Sequence, residues 1–138
     1  SENKALVTEY FERLNARDLD VVDELCGDEF AVTIGRKGTD ESAIGTDGLQ
    51  AIYEEYYAAF PDFQHTLDEM VAEGDLVGVF MTSTGTHEGE FRGVPPTGNE
   101  IAIEDNGLLR LSGGEIVDAR PLSDMLGLFE QIGVDLDR

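Results

Sequence analysis

The chain has 138 residues and a formal net charge of −21 at pH 7, with 30 Asp and Glu against nine Lys and Arg. This length suits one domain, predicted over residues 1–138, and 41% hydrophobic residues indicate a globular chain. The excess of acid argues against nucleic acid and against an anionic membrane surface as partners, because both require clustered basic side chains. No apolar run approaches the roughly 18 residues of a membrane span.

The cellular compartment and the use of metals are also constrained by the composition. The N-terminal stretch Ser1 to Glu9 is polar and predicted to be helical, and a single cysteine, Cys26, cannot form an intrachain disulfide. We therefore expect a cytoplasmic protein. Two histidines, His65 and His87, lie 22 residues apart and give no zinc-binding spacing with Cys26. We expect neither a metal nor a cofactor.

The first part of the chain is predicted to be mostly helical. Apolar side chains recur every three or four residues, which is the helical period, in three segments: Asn3–Ala16, Leu19–Cys26 and Leu49–Phe60. Asp18 is expected to cap the second of these helices, and Pro61 ends the third. Between them, Phe30–Ile34 predicts a strand and the glycine-rich stretch Gly35–Gly48 predicts a loop.

The second part is rich in predicted strands. Alternating segments separated by turn residues indicate four of them: Phe63–Ala72, Leu76–His87, Glu100–Leu111 and Glu115–Leu122. A last helix, Met125–Ile132, is expected to be capped by Ser123 or Asp124 and closed by Gly133. Helices followed by strands predict an α+β fold: a curved antiparallel β-sheet wrapped by about three helices into a cone with an apolar pocket.

A motif in the second part carries a family resemblance. Residues 85–98 read GTHEGEFRGVPPTG, which resembles the GTHxGxFxGxPPTG signature of the SnoaL-like polyketide cyclases. Further segments resemble conserved positions of that family: Phe60-Pro61-Asp62, Glu73-Gly74-Asp75, Gly113 to Val117, and Asp124 with Gln131-Ile132-Gly133. The resemblance runs over nearly the whole chain.

The resemblance implies a nuclear-transport-factor-2-like cone fold and a family activity. That activity is the intramolecular aldol ring closure of a polyketide ester without metal or cofactor, in which a pocket carboxylate removes an activated C–H proton. In the founding cyclases the acid/base aspartate lies three residues before the position of Asp124, and its partner histidine lies three residues before that of Arg110. Here those positions hold Pro121 and Gly107, which cannot transfer a proton. The implied catalytic pair is therefore missing.

Three other residues are candidates for catalysis. Strand alternation places Asp105 on one face with Ile101, Ile103, Gly107 and Leu109, and Gly107 matches a pocket position, so Asp105 is a candidate general base. The alternative is that Asp105 faces solvent or pairs with an arginine. His87 could orient a substrate carbonyl or instead hold the following loop. Asp124 could act in catalysis or simply cap the last helix.

The candidate substrate-binding residues are aromatic: Tyr10, Phe30, Tyr53, Tyr56 and Phe91. Each could instead belong to an ordinary core, and nothing in the sequence assigns a function to His65. The sequence thus favours a pocket for a small apolar carbonyl compound, used by a cofactor-independent cyclase or isomerase. The alternative is a non-catalytic small-ligand-binding or dimeric interaction module of the same fold. A homodimer through the sheet face is expected, as is common for this fold.

The charge itself leads to a first prediction. Sparse lysine with abundant carboxylates is the composition of proteins from salt-accumulating halophiles, in which multimolar salt screens the repulsion between like charges over a few ångströms. We expect the free energy of unfolding to be lower in dilute buffer than in multimolar KCl. Thermal unfolding at increasing KCl concentration measures this, and a melting temperature that is insensitive to KCl would contradict it.

Overall fold

A computed structural model describes residues 1–33 and 43–135, and helices precede most of the strands. The elements are α1 (Glu2–Asn15), α2 (Asp20–Leu25), β1 (Cys26–Thr33), β2 (Ala43–Ile44), α3 (Thr46–Ala59), β3 (Gln64–Glu73), β4 (Leu76–Thr86), β5 (Glu100–Ser112), β6 (Glu115–Ser123) and α4 (Met125–Gln131). The predicted α+β class is confirmed, with four helices rather than about three in the described part of the chain. The predicted loop Gly35–Gly48 lies partly outside the described residues, and α3 already begins at Thr46.

The six strands form one sheet in the order β2-β1-β6-β5-β4-β3. Neighbouring strands are antiparallel except β1 and β6, which run parallel, with Val32 opposite Ala119. The prediction of a wholly antiparallel sheet is therefore wrong at this pair. Parallel neighbours need a long crossover connection, and here most of the chain lies between β1 and β6. Alternation along one strand does not reveal the direction of such a distant partner.

The start of α2 and the start of β1 differ from the prediction. Asp18 does not cap α2, because its carboxylate accepts a hydrogen bond from Nε of Arg13 at 2.7 Å, and the cap position is Leu19 without a side-chain bond. Cys26 is the C-cap of α2 and, at the same time, the first and buried residue of β1, which therefore begins four residues before the predicted strand. At the other end of the chain, Asp124 caps α4 by accepting from the amide of Gly127 at 2.8 Å.

Two apolar clusters hold the helices against the inner face of the sheet. The larger cluster joins α1 and α2 to the sheet through residues such as Val7, Leu14, Val21 and Ile116. The second cluster surrounds Phe60 at the end of α3 and includes residues of β5 and α4. The helices thus cover the concave face of the sheet, and the space between them and the strands contains the candidate site.

Candidate functional site

A cavity of about 80 Å³ lies between the helices α1 and α3 and the inner face of the sheet. Its helical wall is formed by Tyr10, Phe11, Leu49 and Tyr53. Its sheet wall is mostly apolar and includes Val79, Met81, Leu109 and Ala119. Three ionisable residues of the sheet, His65, Asp105 and Arg120, also line it, as does the amide side chain of Asn106. The cavity therefore combines apolar walls with a small polar cluster.

The polar cluster is a chain of hydrogen bonds across four strands and one helix. The hydroxyl of Tyr53 lies 2.9 Å from Nε2 of His65, and Nδ1 of His65 lies 2.7 Å from Oγ of Ser83. Oγ of Ser83 donates to Oδ2 of Asp105 at 2.7 Å, and Oγ of Ser123 donates to Oδ1 of Asp105 at 2.6 Å. Nδ1 of His65 and Oδ2 of Asp105 are 3.6 Å apart. Both oxygens of Asp105 are therefore held by donors.

Strand pairing brings these side chains together. His65 of β3 is opposite Ser83 of β4, and Asp105 of β5 is opposite Ser123 of β6, so all four lie on the inner face. The amide and carbonyl of His65 are both bonded to the side chain of Asn15, each at 2.8 Å. The C-terminal end of α1 is thereby attached to β3 at the histidine.

Burial shifts the pKa of two members of the cluster. Desolvation lowers the pKa of His65, and the nearby Asp105 carboxylate opposes this shift by favouring the imidazolium. Desolvation raises the pKa of Tyr53 well above its usual value, and the charge of Asp105 contributes to the same shift. The resting site therefore contains a neutral imidazole and a protonated phenol at neutral pH.

The structure places Asp105, the candidate base, on the face of the sheet that strand alternation predicted, but among different neighbours. Asp105 lies on the predicted inner face with Ile101, Ile103, Gly107 and Leu109, and its side chain is 14% exposed. Its immediate partners are polar, Ser83 and Ser123, and not the apolar neighbours that strand alternation alone indicated. The alternative of a surface pairing with an arginine is not what the contacts show.

The other two candidate catalytic residues lie elsewhere. His87 is fully buried in the loop after β4, where Nδ1 lies 2.9 Å from Oγ1 of Thr97 and accepts from the amide of Thr97 at 3.3 Å. Nε2 of His87 has no hydrogen-bond partner among the described residues, and Phe60 packs on the ring. Asp124 is exposed and caps α4. Neither residue lines the cavity with Asp105.

The predicted aromatic wall is divided between the two clusters. Tyr10 and Tyr53 line the cavity, whereas Phe30 is buried in the same cluster without belonging to the lining. Tyr56 and Phe91 pack together in the second cluster, with ring centroids 5.2 Å apart. The hydroxyl of Tyr56 is directed to Sδ of Met125 at 3.3 Å.

Sequence reasoning missed His65, which is the central member of the chain of hydrogen bonds. The signal was available in principle for three members, because His65, Ser83 and Asp105 occupy inward positions of predicted strands, whereas Ser123 was predicted as a possible helix cap and is instead the last residue of β6. Only the strand register shows that they are neighbours, and the register required the pairing of β3 with β4 and of β5 with β6.

A larger groove lies on the surface but lacks this cluster. It measures about 430 Å³ and is lined by residues of β4 and β5 together with Asp62 and Gln131. Asp62 accepts from the amide and the hydroxyl of Thr86, and Gln131 is bonded to the backbone of Ala102. These polar groups already have partners within the fold, so we assign the candidate site to the smaller cavity.

The described residues, 1–33 and 43–135, also bear on metal binding and on membrane crossing. No group of three or more His, Cys, Asp or Glu side chains there has an arrangement that could hold a metal ion. None of the helices in this part of the chain has both the length and the apolar character needed to cross a bilayer.

The family model for SnoaL-like polyketide cyclases matches residues 4–132. The chain belongs to this family. The two positions that hold the acid/base pair in the founding cyclases, here Gly107 and Pro121, are opposite each other on β5 and β6 and line the same cavity as Asp105. In this SnoaL-like chain the polar cluster around Asp105 therefore lines the same cavity as these two positions but consists of other residues.

Solved structures of three proteins share this fold: AclR, a putative hydroxylase; IdmH, a putative polyketide cyclase; and a putative SnoaL-like polyketide cyclase. AclR from Streptomyces galilaeus is 28% identical, with a TM-score of 0.87 over 99% of this chain and 87% of AclR. IdmH from Streptomyces antibioticus is also 28% identical, with a TM-score of 0.85 over 97% of this chain and all of IdmH. A SnoaL-like protein from Jannaschia sp. CCS1 is 25% identical, with a TM-score of 0.84 over 97% and 93% of the two chains. A search among curated protein sequences gave no match.

The protonation of His65 can be measured directly. We expect its imidazole to be mostly neutral at pH 6.5, because burial lowers its pKa below the ordinary value of about 6.5, and to carry its proton on Nδ1, which faces the hydroxyl oxygen of Ser83. Ring ¹⁵N NMR shifts over a pH series report both the tautomer and the pKa. Asp105→Asn should lower the pKa further, because the carboxylate favours the imidazolium. A doubly protonated His65 ring at pH 6.5 would contradict this account.

The same shift has a consequence for stability. Since the pKa of His65 is lower in the folded chain than in the unfolded chain, the unfolded state binds more protons as the pH falls below about 6.5. The contribution of His65 to the free energy of unfolding is therefore fully present above that pH and decreases below it.

Proposed function

We propose that this protein is a cofactor-independent acid–base catalyst, a cyclase or isomerase that acts on a small carbonyl compound with Asp105 as the general base. The observation that carries the proposal is the placement of the Asp105 carboxylate, bonded to two hydroxyls, in a cavity with mainly apolar walls. Membership of the SnoaL-like family supports this reaction class. The contacts of His87 and Asp124 support structural roles for those two residues, so the mechanism does not use them.

Asp105 is suited to accept a proton from carbon. The hydroxyls of Ser83 and Ser123 fix the orientation of its carboxylate, and each oxygen retains a lone pair. A C–H group between two carbonyls is already fairly acidic, so a positioned carboxylate is a sufficient base. The proton passes from carbon to Asp105 and leaves an enolate. Asp105 then returns it to the alkoxide formed on ring closure, or to a second carbon in an isomerisation.

The volume of the cavity supports a small substrate. An engineered protein cavity of about 150 Å³ binds benzene, and the cavity here has about 80 Å³. Apart from the polar cluster and the side chains of Asn106 and Arg120, the walls offer apolar contacts, as small-molecule sites commonly do. We therefore infer a compact carbonyl compound and not a fused polycyclic ester as the occupant.

A solvent-exchange assay tests the role of Asp105. The wild-type protein should accelerate deuterium incorporation at the activated carbon of a small cyclic β-diketone in D₂O, followed by NMR. Asp105→Asn should lower the protein-dependent rate by about a hundredfold or more, because a positioned general base contributes 10²–10⁴-fold.

The matched control for this assay is Glu104→Gln. Glu104 is the preceding residue on β5 and is exposed, so the change removes one carboxylate without altering the cavity. The control should keep the wild-type exchange rate. Equal rates for the wild type and Asp105→Asn would rule out Asp105 as the base.

A second candidate function is non-catalytic binding of a small apolar ligand in the same cavity. The observation that favours it is the pair Gly107 and Pro121, which replaces the family's proton-transferring residues on the cavity wall. Binding of small cyclic ketones without any acceleration of exchange would support this function over catalysis.

We also propose a homodimer through the outer face of the sheet. Three large apolar side chains are exposed there, Val71 on β3, Phe80 on β4 and Leu122 on β6. Burying such side chains against a second copy would remove apolar surface from water. Sedimentation in multimolar KCl, where charge repulsion is screened, should give a dimer mass. Phe80→Lys should shift it toward the monomer, and a monomeric wild type would contradict the proposal.

A further inference from the structure

The direction of each hydrogen bond in the cluster follows from its donors and acceptors. The two Oγ–Oδ distances, 2.6 and 2.7 Å, are typical of hydroxyls that donate to an ionised carboxylate. Ser83 has a single hydroxyl hydrogen and gives it to Asp105. Its oxygen, 2.7 Å from Nδ1 of His65, must therefore accept the Nδ1–H.

The same reasoning extends to the tyrosine. A neutral imidazole with its proton on Nδ1 has a lone pair on Nε2, so Nε2 of His65 accepts the hydroxyl of Tyr53 at 2.9 Å. All donors point one way, from Tyr53 through His65 and Ser83 to Asp105. Every polar hydrogen of these side chains is used within the chain of bonds, and so is that of Ser123.

The cavity-lining ends of this chain are consequently acceptors. Tyr53 and Asp105 both line the cavity, and each presents oxygen lone pairs to a ligand and no available hydrogen. A bare carbonyl oxygen placed against Tyr53 and Asp105 would meet two acceptors, and the N–H donors of the lining belong to other residues, Asn106 and Arg120. To bond it, Tyr53 would have to release His65, which would leave the buried Nε2 without a partner.

We propose that this site selects ligands that bring their own hydrogen-bond donor, namely hydroxy-carbonyl compounds such as β-hydroxy ketones and enols, over ketones or esters without a hydroxyl group. This inference rests on the proposed function and names its substrate class. The ligand hydroxyl donates to Asp105 or to Tyr53, and its apolar part contacts Val79, Met81 and Leu109.

The class agrees with the chemistry proposed for Asp105. The product of an aldol ring closure is a β-hydroxy carbonyl compound. In the reverse reaction Asp105 takes the hydroxyl proton, the C–O bond becomes a carbonyl, and the C–C bond breaks with its electron pair passing to the enolate. The proton on Asp105 then returns to the enolate carbon, so all atoms and electrons balance without a further reactant.

The test compares two probes of nearly equal size, cyclobutanol and cyclobutanone, by chemical-shift titration of the protein. The wild type should bind the alcohol about tenfold more tightly, as expected for one additional hydrogen bond to a charged acceptor. Asp105→Asn places an amide donor in the site, so it should abolish or reverse this preference. Tyr53→Phe, which removes the second acceptor, should reduce it, and Glu104→Gln should leave it unchanged.

Several outcomes would overturn the inference. These are equal or tighter binding of the ketone by the wild type, failure of both probes to bind, or an unchanged preference in both Asp105→Asn and Tyr53→Phe. If Asp105→Asn does not fold, Tyr53→Phe alone decides. The exchange assay separates the two proposals. Asp105-dependent exchange without an alcohol preference contradicts only the inference, and an alcohol preference without exchange contradicts only the catalytic proposal.

Discussion

The candidate site depends on how a carboxylate is accommodated on the concave face of the sheet. A charge largely removed from water is costly unless hydrogen bonds replace its hydration, and Asp105 obtains two from neighbouring strands. Ser83 comes from one side of β5 and Ser123 from the other. The carboxylate thus connects three strands, and the histidine and tyrosine are arranged behind one of its two donors. Ser83 has only one hydroxyl hydrogen. Because Asp105 accepts it, the donor and the acceptor of every other hydrogen bond in the chain are fixed.

The proposed function places the reacting carboxylate at a position different from that of the founding cyclases. Gly107 and Pro121 themselves offer no side-chain donor or acceptor to the cavity. The polar groups lie farther along the same strands, where the inward positions of β4, β5 and β6 coincide. A pocket in a cone has many inward positions, so the chemistry of such a pocket can move while the fold stays the same.

The fold was largely predictable because each element has its own local signal. The helical period of Leu6, Tyr10 and Leu14 and the alternation along β4 are properties of short segments. The parallel pairing of β1 with β6 was not predictable, since it depends on contacts between distant segments. The candidate site was likewise predictable only where it depends on short segments of the chain. The face of Asp105 followed from alternation, but the partnership with His65 depends on the registers of three strands. Asp18 does not cap α2, because its carboxylate binds Arg13 instead. The rules that predict helix caps from sequence do not consider such a competing partner.

The bonds between Asn15 and the backbone of His65 give the site a mechanical dependence on the first helix. Terminal segments open and close more readily than the centre of a sheet, and such local opening has its own free energy. When the end of α1 moves away from β3, the histidine loses the support on both of its peptide groups. Proton exchange at the amide of His65 should then report the opening of α1. The chain of hydrogen bonds is thereby supported by a helix that contributes none of its members.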